Sequence, residues 1–252
     1  MSHHQLRALV LIAIVGLVLS ACTRHPSPHD EARAAEIEAL QLEAERIDPV
    51  GSLDFASDAG WEQIGPGVWR RLKFDDDGAL VGERVKATGH DAFAWLRSTY
   101  FPARLATLTE SLGEASTDFE RMIIDDQIMS AERFLAAAER WAEGPGESSP
   151  VTPLQSCDPM ANATAAPTTA SPGAKAYANG RNCSYFNSGW VDTYAFAGGN
   201  HDADTQSLVG FGATGYATAV SYGSAGTDCY SRAEAVGYPS AFDSDTYSAK
   251  CS

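Results

Sequence analysis

What this chain can fold into is limited above all by a change of composition near its middle. Residues 23–149 carry 13 basic and 25 acidic side chains, no cysteine and one of the nine tyrosines. Residues 150–252 carry 4 basic and 8 acidic side chains, four cysteines and the other eight tyrosines. The first segment is charged and rich in helix formers, whereas the second is rich in Gly, Ala, Thr and Tyr and alternates with the period of a strand. Between them Glu143-Gly144-Pro145-Gly146-Glu147-Ser148-Ser149-Pro150 reads as a linker, because its Gly, Pro and Ser content favours turns over periodic structure. The expected organisation is a spacer and helix over 22–49, a small α+β domain over 50–142, a linker over 143–156 and an all-β domain over 157–252.

Within the first segment Asp30 is placed to cap a helix that runs through good helix formers to Ile47 and stops at Asp48-Pro49. Ile37, Leu40, Ala44 and Ile47 fall at a and d spacing, but roughly two heptads are too few for a coiled coil, so the helix is expected to dock on its own domain or stand as a stalk. Val68, Leu72 and Phe74 then share one face of an alternating run, which Asp75-Asp76-Asp77-Gly78 interrupts before Leu80 to Ala87 alternates again. Asp-Gly supplies the positive φ of a tight turn, so this stretch predicts a β-hairpin. The acidic triplet lacks the alternate spacing and distal Glu of a calcium loop. From Asp91 the helical period returns with Phe93, Trp95, Leu96 and Tyr100, then Leu105, Leu108 and Leu112 after Pro102. A further helix is expected from Asp118 to Ala142, with Phe119, Met122, Ile123, Phe134, Leu135, Ala138 and Trp141 along its apolar side.

The second segment alternates at period two. Trp190, Asp192, Tyr194 and Phe196 share one face and Val191, Thr193, Ala195 and Ala197 the other, and the run from Tyr216 to Tyr222 repeats the scheme. Short strands separated by Gly, Asn and Asp turns predict an antiparallel sandwich or barrel. Cys157, Cys183, Cys229 and Cys251 are each more than 20 residues apart, a spacing that suits neither a zinc site nor a redox pair. Of the possible pairings, Cys157 with Cys183 and Cys229 with Cys251 is favoured, because the segments open alike: Cys157, Ala161, Ala163 and Pro167 match Cys229, Ala233, Ala235 and Pro239 in spacing.

The N-terminus has a short polar region ending in Arg7, an apolar run from Ala8 to Leu19, and then Leu19-Ser20-Ala21-Cys22. About 12 apolar residues are too few to span a bilayer as a helix and match a signal-peptide core instead. The order resembles the lipobox of bacterial lipoproteins. That resemblance implies a signal peptide over 1–21, acylation of Cys22 as the new first residue and, with Thr23 following it, delivery to the outer membrane. Several acyl chains would then hold the protein without a spanning segment. Loss of Arg7 with the leader takes the formal charge from -15 to -16. So acidic a surface disfavours nucleic acid and anionic headgroups and favours a basic partner.

Residues able to carry chemistry are sparse. Only His90 and His201 lie outside the leader and the spacer. Ser221 sits in a sequence distantly like a hydrolase elbow, but the first glycine is missing and no histidine follows, so it is assigned to a strand. His201, Asp202 and Asp204 form the best ligand-like cluster, and calcium is the metal such a loop would take. Trp190 joins them as a possible ligand-binding side chain. No cofactor motif is present. The expectation is a non-enzymatic outer-membrane lipoprotein, periplasmic or surface-exposed, whose β domain binds an envelope protein or polysaccharide. One alternative is a periplasmic inhibitor of a basic protein. Another is a hydrolase acting on wall or surface polymer, for which Trp190, His201, Asp243 and Asp245 would have to converge on one pocket.

Overall fold

The computed structural model describes residues 60–143, 157–169 and 171–252, together with residues 31, 34–36, 38 and 39 of a preceding helix. Cys22, Asp30, the expected a and d residues of that helix and the linker over 144–156 lie outside the described residues.

The alternating run after Gly60 forms three strands, β1 (Trp61–Gly65), β2 (Val68–Phe74) and β3 (Leu80–Thr88). The expected turn joins β2 to β3: the Asp75 carboxylate accepts the amides of Asp77 (3.1 Å) and Ala79 (2.8 Å), and Gly78 takes φ +80°. A helical stretch follows as α1 (His90–Trp95), a π-helical turn (Leu96–Tyr100) and α2 (Phe101–Glu114). Pro102 has no amide hydrogen to give to the preceding turn, and the widened turn lies directly before it. The third helix, α3 (Asp118–Glu143), matches the expected one. Its start is a reciprocal cap in which Thr117 Oγ1 accepts the Glu120 amide (3.1 Å) and Glu120 Oε2 accepts the amides of Ser116 (2.7 Å) and Thr117 (3.1 Å).

The cysteine-containing segment is all strand: β4 (Met160–Pro167), β5 (Gly173–Arg181), β6 (Gly189–Ala197), β7 (Asn200–Leu208), β8 (Thr214–Tyr222), β9 (Asp228–Gly237) and β10 (Ala241–Lys250). They build two antiparallel sheets, one of seven strands in the order β1-β2-β3-β10-β9-β6-β7 and one of three in the order β4-β5-β8. The three-stranded sheet covers one face of the larger sheet and the helices cover the other, so the fold is a sandwich with a helical outer layer.

The linker expected over 143–156 is therefore not a boundary between folded bodies. β3 from the first segment pairs with β10 from the second, from Ala87 opposite Phe242 to Arg84 opposite Asp245, and residues 36–252 form one compact unit. Composition changes at this point because the layers change: the first segment supplies the helices and one end of the large sheet, and the second supplies the rest.

The two cores differ in kind. Between the sheets, twelve of sixteen buried core residues are alanine, including Ala161, Ala163, Ala233 and Ala235. Such small side chains let the layers approach closely: a Cβ on Gly237 would collide with the carbonyl oxygens of Met160 and Arg181. Under the helices the core is large and aromatic, with Phe134 stacked on Phe101 (4.4 Å) and edge-on to Phe242 (5.5 Å). On the outer face of the small sheet, Lys175 pairs with the buried Glu36 at 2.6 Å. Among the described residues no helix is long and apolar enough to cross a membrane.

The disulfides are Cys157–Cys183 and Cys229–Cys251, as the spacing favoured. Each bolts the open end of a hairpin, β4–β5 or β9–β10, opposite its turn. In the chain-entropy account a loop of this size contributes about 3 kcal/mol. Replacing Cys229 and Cys251 together by alanine should lower the unfolding free energy by about that much. Guanidinium titration of the oxidised proteins checks this, and an unchanged midpoint would contradict it.

Candidate functional site

The ligand-like cluster in the sequence is divided by its own strand. His201, Asp202 and Asp204 lie on β7, where successive side chains point to opposite faces. His201 is exposed and its ring lies 6.5 Å from that of Tyr194 on the helix side. Asp202 and Asp204 turn the other way and accept backbone amides of β8, from Val220 (3.0 Å) and Thr218 (3.2 Å). Among the described residues no three His, Cys, Asp or Glu side chains are grouped to hold a metal ion.

Trp190 is buried beneath α3, where its Nε1 donates to Glu234 (2.7 Å), its ring stacks on Trp141 (5.9 Å) and the Arg133 guanidinium lies 4.9 Å from its centroid. Asp243 and Asp245 face the opposite side of the sheet, toward β4. Asp243 accepts two bonds from Arg84 (2.6 and 3.1 Å) and the Ala163 amide (3.2 Å), with Lys86 Nζ at 3.5 Å. Asp245 pairs with Lys73 (2.6 Å) and accepts the Ala165 amide (2.9 Å). Burial raises the Asp245 carboxyl pKa and lowers that of the Lys73 ammonium, so both partners are drawn toward their neutral forms. Trp190, His201, Asp243 and Asp245 therefore do not converge. Ser221 is buried in β8, as assigned.

Sequence reasoning missed a buried polar network between α3 and the large sheet. Arg232 on β9 makes a two-pronged pair with Asp126 of α3 (2.7 and 3.0 Å) and reaches Asp192 of β6 (2.7 Å), while the Tyr230 hydroxyl donates to Asp126 (2.8 Å). Glu234 accepts bonds from the Ser130 hydroxyl and from Trp190. Nearby, Arg104 of α2 donates to Glu83 (2.7 Å) and Gln127 (3.1 Å). The available signal was Arg232 and Glu234 two residues apart and alternating with Ala233, Ala235 and Val236 in a strand, where buried charges survive only if paired. Glu83, Arg104, Gln127, Ser130, Arg232 and Glu234 line a cavity of about 20 Å³, and among the described residues the buried Arg232 Nη1 has no hydrogen-bond partner. That volume takes one water and is far below what an organic substrate fills. The network joins the helix layer to the sheet.

The surface offers two further features. A groove of about 410 Å³ runs along α3, lined by Asp118, Arg121, Met122, Asp125, Asp126, Met129 and Tyr194. At one end of the sandwich, the β5–β6 and β7–β8 loops carry Tyr185 and Phe186, Val209 and Phe211, with Tyr216 beside them at the start of β8. Tyr185, Phe186 and Val209 are 67, 64 and 73% exposed, and Tyr185 stacks on Phe211 across the loops at 4.9 Å.

This aromatic end is braced from beneath. The buried Asn182 side-chain amide donates to the carbonyls of Ser184 (2.9 Å), Asn187 (2.8 Å) and Gly210 (3.0 Å). The Asn182 backbone donates to Ala213 and accepts from Gly212, both at 2.8 Å, and Cys183 ties the first loop to Cys157. The sequence signal for it is an absence: residues 182–191 and 205–227 contain no charged side chain and no histidine, although charged residues make up a fifth of the chain.

Comparison of the chain with protein-family models, curated proteins and solved structures finds no match.

Burial raises the Glu234 pKa above its ordinary 4.5, outweighing the attraction of Arg232 and the bonds from Ser130 and Trp190. A carboxyl whose folded value is raised adds stability below the unfolded value, and that stability is lost as pH rises through the folded one. Stability of the wild type relative to Glu234→Gln should therefore fall as pH is raised from about 4.5 toward neutrality. Urea titrations at stepped pH measure the difference, and parallel profiles would contradict it.

Proposed function

We propose that the chain is an exported lipoprotein, acylated at Cys22 and held at the outer membrane, whose β part binds an envelope or extracellular partner and performs no chemistry of its own. The observation that carries the binding half of this reading is the braced aromatic end formed by Tyr185, Phe186, Val209, Phe211 and Tyr216. Large exposed apolar side chains gathered in one place mark interaction surfaces. Here the loops are already fixed by Asn182 and a disulfide, so binding does not have to order them. The export and anchoring half is carried by Leu19-Ser20-Ala21-Cys22 after its apolar run, and two disulfides suit an oxidising compartment.

A second reading, capture of a basic protein, is favoured by the groove along α3. Asp125 and the exposed Met129 suit a lysine or arginine side chain, with the charge met by the carboxylate and the stem by methionine, whereas Asp126 is committed to Arg232 and Asp118 faces Arg121. The hydrolase reading loses its support, because the residues it required lie on opposite faces of the large sheet and the buried network surrounds a space for one water.

Cys22→Ala is expected to leave the precursor unlipidated and poorly processed, and normal maturation with membrane partitioning would overturn the anchor. For the binding surface, a photoreactive benzophenone side chain placed at position 186 or 129 in cells distinguishes the two readings. Adducts at 186, whether to protein, polysaccharide or lipid, support the aromatic end, adducts at 129 the groove, and adducts of no kind at either position would overturn both.

A further inference from the structure

We infer that the aromatic end seats in the interfacial region of a zwitterionic lipid bilayer, so that the protein touches the membrane at a second place besides its anchor. This deepens the binding proposal and rests on it, in that it names the occupant of the same surface.

The first reason is charge. The protein carries a formal -15, and 51 of its 252 side chains are Asp, Glu, Lys or Arg. None of them falls in residues 182–191 or 205–227, which include both loops at this end. Moving a charge into the interface is unfavourable, and an acidic surface is repelled by anionic headgroups. The exposed Arg181 and Asp158, one of each sign, flank the loops, so this end has little net charge and is the part of the molecule that can approach lipid closely, zwitterionic lipid in particular.

The second reason is chemistry and shape. Tyrosine combines an apolar ring with a hydroxyl and is enriched at membrane–water interfaces. Tyr185 and Tyr216 stand here with Phe186 and Val209, all more than half exposed and at loop tips or a strand end. The side chains are carried on loops and none of them lines either of the two described cavities, whereas small molecules are taken up by concave sites. The Asn182 bonds hold the two loops together and the Cys157–Cys183 disulfide ties the first of them to the start of β4, so the rings are presented on a braced support.

The third reason is reach. From Cys22 to Glu36, whose carboxylate is fixed to Lys175 of β5, there are 14 residues, and Lys175 lies six residues before the end of β5 that carries the aromatic loops. Fourteen residues span at most about 50 Å and six residues of strand about 20 Å, so an anchor at Cys22 leaves this end within reach of the same bilayer.

The test uses the mature lipidated protein reconstituted into phosphatidylcholine vesicles with and without bromine on the acyl chains. Phe186→Trp and, separately, Val209→Trp each add an exposed reporter to the five native tryptophans. Emission in excess of wild type should shift to shorter wavelength in vesicles and be quenched by the brominated lipid in both variants. Excess emission that stays water-like and unquenched in both would overturn the inference. Protein adducts at position 186 combined with absent quenching would overturn the lipid occupant while leaving the binding proposal standing. If Cys22 proves unacylated, the anchor fails, and the same two variants added to preformed vesicles decide the aromatic end separately.

Discussion

The backbone amides on the outer edges of β4 and β8 would have no partner in a plain three-stranded sheet, and they are met by side chains of the neighbouring large sheet. On one edge Asp243 and Asp245 accept the amides of Ala163 and Ala165. On the other, Asp202, Asp204 and Gln206 accept those of Val220, Thr218 and Tyr216. An edge strand turns an amide outward at every second residue, and the acceptors stand at every second position for the same reason. The sandwich is thus closed on both sides by carboxylates and a carboxamide in place of backbone pairing. An open edge is a template for aggregation, and these side chains remove it.

That closure governs where charge can lie elsewhere. Asp243 and Asp245 are buried and tolerable only because Lys73, Arg84 and Lys86 are drawn in against them. On the opposite face, Arg232 and Glu234 are matched by Asp126, Asp192, Ser130 and Trp190. Much of the charge in the large sheet is therefore structural, holding the small sheet on one side and the helices on the other. What is left for function is the surface, where a groove along α3 with Asp125, Arg121 and methionines and an aromatic end whose loops carry no charge present different chemistries.

The sequence made period, turns and disulfides legible, because each depends on neighbours along the chain. The β2–β3 hairpin followed from Asp75 to Gly78, α3 from its apolar side, the two faces of β6 from strict alternation, and the cysteine pairing from spacing. Facts that depend on distant pairing were hidden. The linker after Glu143 looked like a domain boundary, since nothing local to β3 announces that it hydrogen-bonds to β10. His201, Asp202 and Asp204 looked like one cluster in the linear chain, and alternation within β7 sends them to different layers. The aromatic end escaped notice because Tyr185 and Phe186 fall in a loop with no period to mark them, and the informative pattern was a run of missing charges.

Amide hydrogen exchange, resolved residue by residue in the oxidised protein, tests the closure most directly. The account predicts that Ala163, Ala165, Tyr216, Thr218 and Val220, all on sheet edges, exchange slowly, as do amides paired within central strands such as β9. Exchange of these five at the rate of unprotected surface amides, alongside slow exchange in β9, would show that the edges are open and contradict it.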